Sequence, residues 1–218
     1  MKIRWHRPDP KHVVRYSFHE RAAHWIVAFN CLYLILGGMA LHAPHFYWLA
    51  ILLGGGATMR YLHPLLGLVY FVTLIWMWWL WRKDLKMESY DAKWMAKIDS
   101  YITNNDEELP VIARWNPGQK IFYWIMLAAG FGLVLSGFVL WFPERLPWSM
   151  QWLKFLAILT HAGCAYASIG GLLLHVYMGV FLVKGGFDQI ITGEVTRPWA
   201  KHHHRLWYSR VTGEKVNE

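Results

Sequence analysis

The sequence predicts an all-α membrane protein, a four-transmembrane-helix bundle with both termini cytoplasmic. Three observations predict it: the composition, four long charge-free stretches, and an uneven placement of basic residues. Hydrophobic residues make up 56% of the chain and charged residues 17%. A soluble domain carries about a quarter charged residues, so much of this surface faces something other than water. No Asp, Glu, Lys or Arg occurs from Ala22 to Met59, from Tyr61 to Trp81, from Ile121 to Pro143, or from Phe155 to Val183. A spanning helix needs roughly 20 such residues. Four spans fit, and the first stretch has room for an apolar turn as well.

The net charge of +8 sets the orientation. Six Lys/Arg precede Ala22, seven lie in the Arg82–Lys120 connection, and six in the tail from Lys184. The Leu41–Arg60 connection holds one and the Phe142–Lys154 connection two. Basic residues mark the cytoplasmic side, so both termini and the long middle connection are expected inside and the two short connections outside. The basic balance therefore speaks for topology, and no nucleic-acid-binding motif accompanies it. The expected spans are about 23–41, 61–81, 120–142 and 152–183, with a cytoplasmic tail over 184–218. Residues 1–218 are expected to form a single integral-membrane domain of the bacterial cytoplasmic (inner) membrane.

Between the spans the sequence supplies local signals. The start has no apolar core segment and no small-residue cleavage site, so no signal peptide is expected. Phe46, Tyr47 and Trp48 near the outer face, and Trp76, Trp78, Trp79 and Trp81 near the inner one, suit membrane–water interfaces. In the middle connection Trp94, Met95, Ile98, Tyr101 and Ile102 share one helical face, which predicts a short helix lying on the inner surface. Asn104 to Pro110 reads as an acidic turn. Pro198 is placed to open a last short helix. The two cysteines, Cys31 and Cys164, lie inside apolar spans and read as small core residues; no Cys-x-x-Cys-His occurs, which excludes covalent heme attachment.

Of the twelve histidines, four lie within spans: His24, His63, His161 and His175. Hydrocarbon penalises an ionisable side chain unless it is paired or ligated. A single one reads equally well as a hydrogen-bonded packing residue; the set of four points further. His161 and His175 are fourteen residues apart, so they return to nearly the same helix face with a rise of roughly 21 Å. Topology supplies one partner at each depth: His24 at the inner end of span one for His175, and His63 at the outer start of span two for His161. Two facing imidazole pairs, with no carboxylate or thiolate alongside, suit porphyrin iron. Both axial positions are then filled, which favours electron transfer over substrate chemistry. Zinc would want three or four protein ligands at each site. Gly38, Gly67, Gly163, Gly170 and Gly171 lie beside these histidines, where they could admit a flat macrocycle or serve close helix packing. His202, His203 and His204 lie among Lys201, Arg205 and Trp207, and an inner-surface, headgroup-facing role is expected for them.

Several segments carry a family resemblance. Arg21-Ala22-Ala23-His24-Trp25, Leu62-His63-Pro64-Leu65-Leu66-Gly67 and Trp115-Asn116-Pro117-Gly118-Gln119-Lys120 resemble the cytochrome b (gamma) subunit of respiratory formate dehydrogenase. His161-Ala162-Gly163, Leu174-His175-Val176-Tyr177-Met178, Val183-Lys184-Gly185 and Arg197-Pro198-Trp199-Ala200-Lys201 extend the resemblance over nearly the whole chain, in order. The resemblance implies two hemes b, the outer held by His63 and His161 and the inner by His24 and His175. It implies an iron–sulfur (beta) partner subunit and, through it, a molybdenum- or tungsten-pterin catalytic (alpha) subunit that oxidises formate on the outer side. Electrons are implied to pass from the outer to the inner heme and on to menaquinone or another quinone, at a pocket of Asn116, Gly118 and Gln119 beside His175. The family carries a small residue where Pro117 stands here.

The Asn-Pro-Gly-Gln turn also has a reading of its own. Side-chain amides and a backbone N–H at the inner mouth of span three can donate to a quinone oxygen, and glycine permits close approach. Asn116 as a helix cap with Pro117 in the first turn is the plainer role, and both can hold together. The chain lacks the cysteine clusters that pterin or iron–sulfur chemistry needs, so substrate oxidation belongs to a partner. A diheme cytochrome b serving a hydrogenase or thiosulfate reductase, and a heme-free membrane anchor, are the alternatives. A transporter is disfavoured, because the charge-free stretches of the spans hold no acidic or basic residue to couple ions.

Overall fold

The apolar stretches become four long helices in the computed structural model, which describes residues 11–103, 105, 109–183 and 185–214. These are α1 (Phe18–His42), α3 (Gly56–Trp81), α6 (Pro117–Trp141) and α7 (Gln151–Val176), the last continued by a π-helical turn over Tyr177–Leu182. Twenty-five residues rise about 37 Å, enough to cross a hydrocarbon core of about 30 Å. All four are long and apolar enough to cross a membrane. Asn104, Lys184 and residues 1–10, 106–108 and 215–218, which enter the sequence readings above, lie outside the described residues.

The spans start earlier than the charge-free stretches do, because polar residues make their first turns. Ser17 and Glu20 form a reciprocal cap on α1: the Ser17 N–H donates to Glu20 Oε2 at 2.7 Å and the Glu20 N–H to Ser17 Oγ at 3.3 Å. Helix α3 begins after Gly54 and Gly55, whose φ of 87° and 91° only glycine adopts freely. Between α1 and α3 the chain forms a 3-10 turn at Pro44–Phe46 and the short α2 (Leu49–Leu52). Leu49, Ala50, Leu53 and Met59 pack with Ala40 there, so the connection between α1 and α3 folds back onto the end of α1 as an apolar cluster.

The chain forms two compact units. One comprises Ala22–Leu80 and Trp124–Leu174, and holds most of the four long helices. Small residues set its helix spacing. A Cβ at Gly130 would stand 2.8 Å from Leu74 Cδ1, and one at Gly132 would stand 2.5 Å from Cys164 Sγ. Phe71 of α3 and Phe131 of α6 meet edge to face at 4.8 Å. Apolar side chains also point outward, among them Phe155, Leu156, Leu159, Leu173 and Leu174 on α7. In hydrocarbon an outward apolar surface carries no penalty, and burial between helices rests on close packing instead.

The other unit gathers residues 11–21, Trp81–Tyr123 and the chain from His175 onward. It adds α4 (Ser89–Met95), α5 (Ile98–Ile102), α8 (Gly186–Thr192), α9 (Arg197–His203) and α10 (Arg205–Thr212). It also contains an antiparallel ribbon that the all-α expectation omits. Strand β1 (His12–Val14) pairs with β2 (Glu194–Thr196), with Val13 opposite Val195. Three-residue strands that meet across the length of the chain leave no periodic signal. Pro198 lies in the first turn of α9, as expected, with Thr196 Oγ1 accepting from the Trp199 N–H at 3.3 Å, but α10 follows and is the last helix among the described residues. The surface helix expected over 91–102 is instead two helices. Trp94 is 2% exposed and packs on Tyr101 at 4.9 Å, while Ile98 and Ile102 remain outside. The break at Ala96 and Lys97 turns the Trp94 ring inward.

Gly193 closes the hairpin-like junction of this unit. Its carbonyl accepts the N–H groups of Arg15 at 2.7 Å and Tyr16 at 3.0 Å. Its φ is 87°, and an added Cβ would lie 2.6 Å from the Tyr16 carbonyl oxygen. Gly193→Ala is expected to cost at least about 1–3 kcal/mol from the left-handed backbone alone. Unfolding of the purified protein would register it as a lowered midpoint, and a wild-type midpoint would contradict the junction's role.

Candidate heme and quinone sites

His63 reaches the interior of its unit from the second turn of α3, immediately before Pro64, and His161 comes from the middle of α7. Their ring centroids are 6.4 Å apart with the planes inclined at 51°. A metal–imidazole bond is about 2 Å and a ring nitrogen lies about 1 Å from its ring centre, so two ligands across one metal stand with centroids about 6 Å apart. The observed separation fits. The donor set fits as well, being two imidazoles and nothing anionic.

The surrounding backbone leaves these rings little competition. A Cβ at Gly37 would stand 3.2 Å from His63 Nδ1, one at Gly38 would stand 3.7 Å from His63 Cε1, and one at Gly137 would stand 3.5 Å from His161 Cε1. Of the glycines singled out from sequence, Gly38 thus touches a candidate ligand. At Gly67, Gly163 and Gly170 a Cβ would meet nothing within 4 Å. Sequence reasoning missed Gly37 and Gly137, and it missed Ser136, whose Oγ lies 2.9 Å from His161 Nδ1. The available signal was a lone hydroxyl beside a glycine in an otherwise apolar span.

His24 and His175 fall in different units. His24 is half-buried in α1, with its ring edge-on to Trp25 at 5.4 Å. His175 occupies the last turn of α7, just before the π-helical turn, and its ring lies parallel to Phe122 of α6 at 4.7 Å and 1°. Phe122 sits three residues after Gln119 and four after Gly118, so these share a face of α6. The turn and His175 are thereby brought to one region of one unit.

The turn itself is a capping box. The Gln119 N–H donates to Asn116 Oδ1 at 2.8 Å, and the Asn116 N–H donates to Gln119 Oε1 at 3.1 Å. Asn116 Nδ2 also donates to Tyr101 OH at 3.4 Å. The amide oxygens are thus committed to the helix start, while the box makes no use of Gln119 Nε2. Pro117 stands at the first helical position, where no N–H is needed. Its ring is compatible with the capping box.

A dense polar cluster lies in the same unit. Arg114 bridges Glu20 at 2.7 Å and Asp84 at 2.8 Å, and Trp81 Nε1 donates to Glu20 Oε1 at 2.7 Å. Burial pulls the Arg114 pKa down, but the Glu20 carboxylate, Tyr16 and Asp84 outweigh it and leave it raised. Arg15, 3% exposed, donates to the Arg114 carbonyl at 2.7 Å and lies over the rings of Trp199 at 5.0 Å and Tyr16 at 5.4 Å. Burial lowers its pKa. His204 corrects the headgroup-facing expectation: it is 4% exposed, with Nδ1 2.8 Å from the Ala113 carbonyl. Burial, with Arg15 close by, holds its pKa well below the ordinary histidine value, so it is neutral and donates through Nδ1. A chain reversal between α9 and α10 buries it, which charge patterning does not reveal. Among the described residues no group of three or more His, Cys, Asp or Glu could hold a metal ion.

Four apolar helices long enough to cross a membrane, with two imidazoles facing each other at 6.4 Å, suit a membrane cytochrome. The chain belongs to the prokaryotic cytochrome b561 family, whose model matches residues 15–193. Membership implies heme b and makes the chain a multi-pass protein of the bacterial inner membrane, an electron-transfer component rather than a soluble enzyme. It is 34% identical to the formate dehydrogenase cytochrome b556(fdo) subunit of Escherichia coli (strain K12), over 94% of this chain and 97% of that one. It is 31% identical to the nitrate-inducible formate dehydrogenase cytochrome b556(Fdn) subunit of the same strain, over 92% of each. It is 29% identical to the formate dehydrogenase cytochrome b556 subunit of Haemophilus influenzae (strain ATCC 51907 / DSM 11121 / KW20 / Rd), over 94% of this chain and 86% of that one.

Proposed function

We propose that this chain is the diheme cytochrome b subunit of a formate dehydrogenase complex. It takes electrons from an outward-facing iron–sulfur subunit and delivers them to menaquinone or another quinone near the cytoplasmic side. The observation that carries this reading is the His63–His161 pair, set at metal-bridging distance in a chain similar almost end to end to cytochrome b556 subunits. Each heme, once bound, supplies a one-electron couple with no open coordination position.

The residues take the following parts. His63 and His161 hold the outer heme, and His24 and His175 the inner one, as the fourteen-residue spacing on α7 and the order of the spans suggest. The basic segments keep both termini and the Arg82–Lys120 connection inside, and the outer connections receive the iron–sulfur subunit. A molybdenum- or tungsten-pterin subunit oxidises formate beyond it. Gly118 and Gln119, held by the cap with Asn116, line the quinone pocket. Support for that placement comes from their shared face with Phe122, on which His175 stacks.

Formate added to membranes that carry the assembled complex should reduce both hemes, and an iron–sulfur protein should co-purify with the chain. Hemes that dithionite reduces but formate does not would assign the chain to another oxidoreductase.

Gln119→Leu tests the quinone end separately. Asn116 Oδ1 still caps the helix, so the fold and both hemes should persist. A hydrogen bond to quinone worth about 1 kcal/mol, or up to about 3 if charged, would be lost, slowing heme reoxidation by an added quinone analogue roughly 5- to 150-fold. Wild-type reoxidation would move quinone away from this turn.

A further inference from the structure

We propose that Ser136 is a positioning residue for His161, fixing which ring nitrogen faces iron and lowering the reduction potential of that heme; this rests on the ligation of one heme by His63 and His161. Ser136 Oγ lies 2.5 Å from the Gly132 carbonyl oxygen and 3.3 Å from that of Leu133, so its hydroxyl hydrogen is spent on the backbone of its own helix. Its remaining lone pairs face His161 Nδ1 at 2.9 Å. With that hydrogen given to Gly132, the Ser136 oxygen is an acceptor toward the ring, so Nδ1 carries the proton and Nε2 keeps the lone pair that a metal needs.

Helix packing sets this contact. Gly132 lets Cys164 approach until an added Cβ would stand 2.5 Å from its sulfur. One turn along α6 and one turn back along α7, that approach delivers His161 to Ser136 and Gly137. Glycine at 132 and serine at 136 make the small-residue stripe that draws two helices together. The two ligands of this heme are consequently unequal. His161 gives its Nδ1 hydrogen to a hydroxyl, which increases electron density on Nε2 and favours ferric iron. His63 has a buried Nδ1 with no hydrogen-bond partner among the described residues.

The test uses the intact complex in its membrane, with Ser136→Ala and Ser136→Thr beside His161→Ala. Heme content, potentiometric midpoints and the low-spin ferric EPR signals are measured in each. Ser136→Ala should keep two hemes per chain and move one midpoint to a more positive value. The component that moves should be the one missing from His161→Ala, with its EPR signal displaced and the other heme unmoved. Ser136→Thr, which keeps the hydroxyl, should match the wild type. Should Ser136→Ala lose the heme, retention at the wild-type potential in Ser136→Thr still supports the assignment. Unmoved midpoints in Ser136→Ala, a shift in the heme that survives His161→Ala, or a threonine variant that behaves like alanine would each overturn it. Two hemes retained in His161→Ala would instead refute the ligation itself, whatever Ser136 does.

Discussion

Replacing His161 by alanine is expected to remove one heme per chain and leave the other in place. A bis-imidazole site that loses one histidine loses half of the bonds by which the protein would hold the iron. The deleted side chain is also the one that Ser136 holds at 2.9 Å and Gly137 flanks on α6. His63→Ala should remove the same heme, because the two rings face each other at 6.4 Å. His42→Ala serves as a control. That ring lies in the same unit but is exposed, and its Nε2 meets Tyr166 OH at 3.1 Å, so both hemes should remain. Heme per chain, counted by pyridine hemochrome on membrane-inserted protein, should fall by about half in His161→Ala and His63→Ala. Two hemes in either variant would exclude that residue as a ligand.

The second large effect is expected from Asp91→Ala. Lys120 stands in the first turn of α6, where the positive end of the helix dipole opposes a cation. Its side chain is 2% exposed and that of Asp91 1%, with Nζ 2.7 Å from Asp91 Oδ2 and 2.9 Å from the Lys86 carbonyl. The same carboxylate oxygen accepts the Glu88 N–H at 2.7 Å and so caps α4. Removing Asp91 strands a buried ammonium and a helix start together. Breaking a buried pair from one side costs about 3–5 kcal/mol. Chemical unfolding followed by tryptophan fluorescence should show the loss, and the double replacement Asp91→Leu with Lys120→Met should recover much of it. A change of less than about 1 kcal/mol in Asp91→Ala would mean that the pair is solvated in the working protein.

The spans and the candidate ligands were legible because hydrocarbon imposes a harsh rule on sequence. Charges vanish where the chain crosses, and the few polar residues that remain stand out, as His63 and His161 do. Their order along antiparallel spans sufficed to pair them. Ser136 was harder to see, since a serine in a span usually bonds its own backbone, and only the approach of α7 shows which ring its lone pairs meet. Gly37 and Gly137 depend likewise on which residue faces them. Outside the membrane the signals weaken. Trp94 and His204 read as interfacial from their neighbours, yet chain reversals bury both. The ribbon of β1 and β2 depends on a pairing between distant segments that no local pattern announces. Asn116 and Gln119 were legible as a helix start, and the structure commits their oxygens to it.

The central claim is that four histidines hold two hemes as two separate pairs, and heme counting in double alanine variants tests it most directly. His63→Ala with His161→Ala should lose no more heme than either single variant, since both remove the same group. His24→Ala with His175→Ala should likewise match its singles, while His161→Ala with His175→Ala should lose all heme. One heme retained in that last variant, or none left in His63→Ala with His161→Ala, would contradict the pairing.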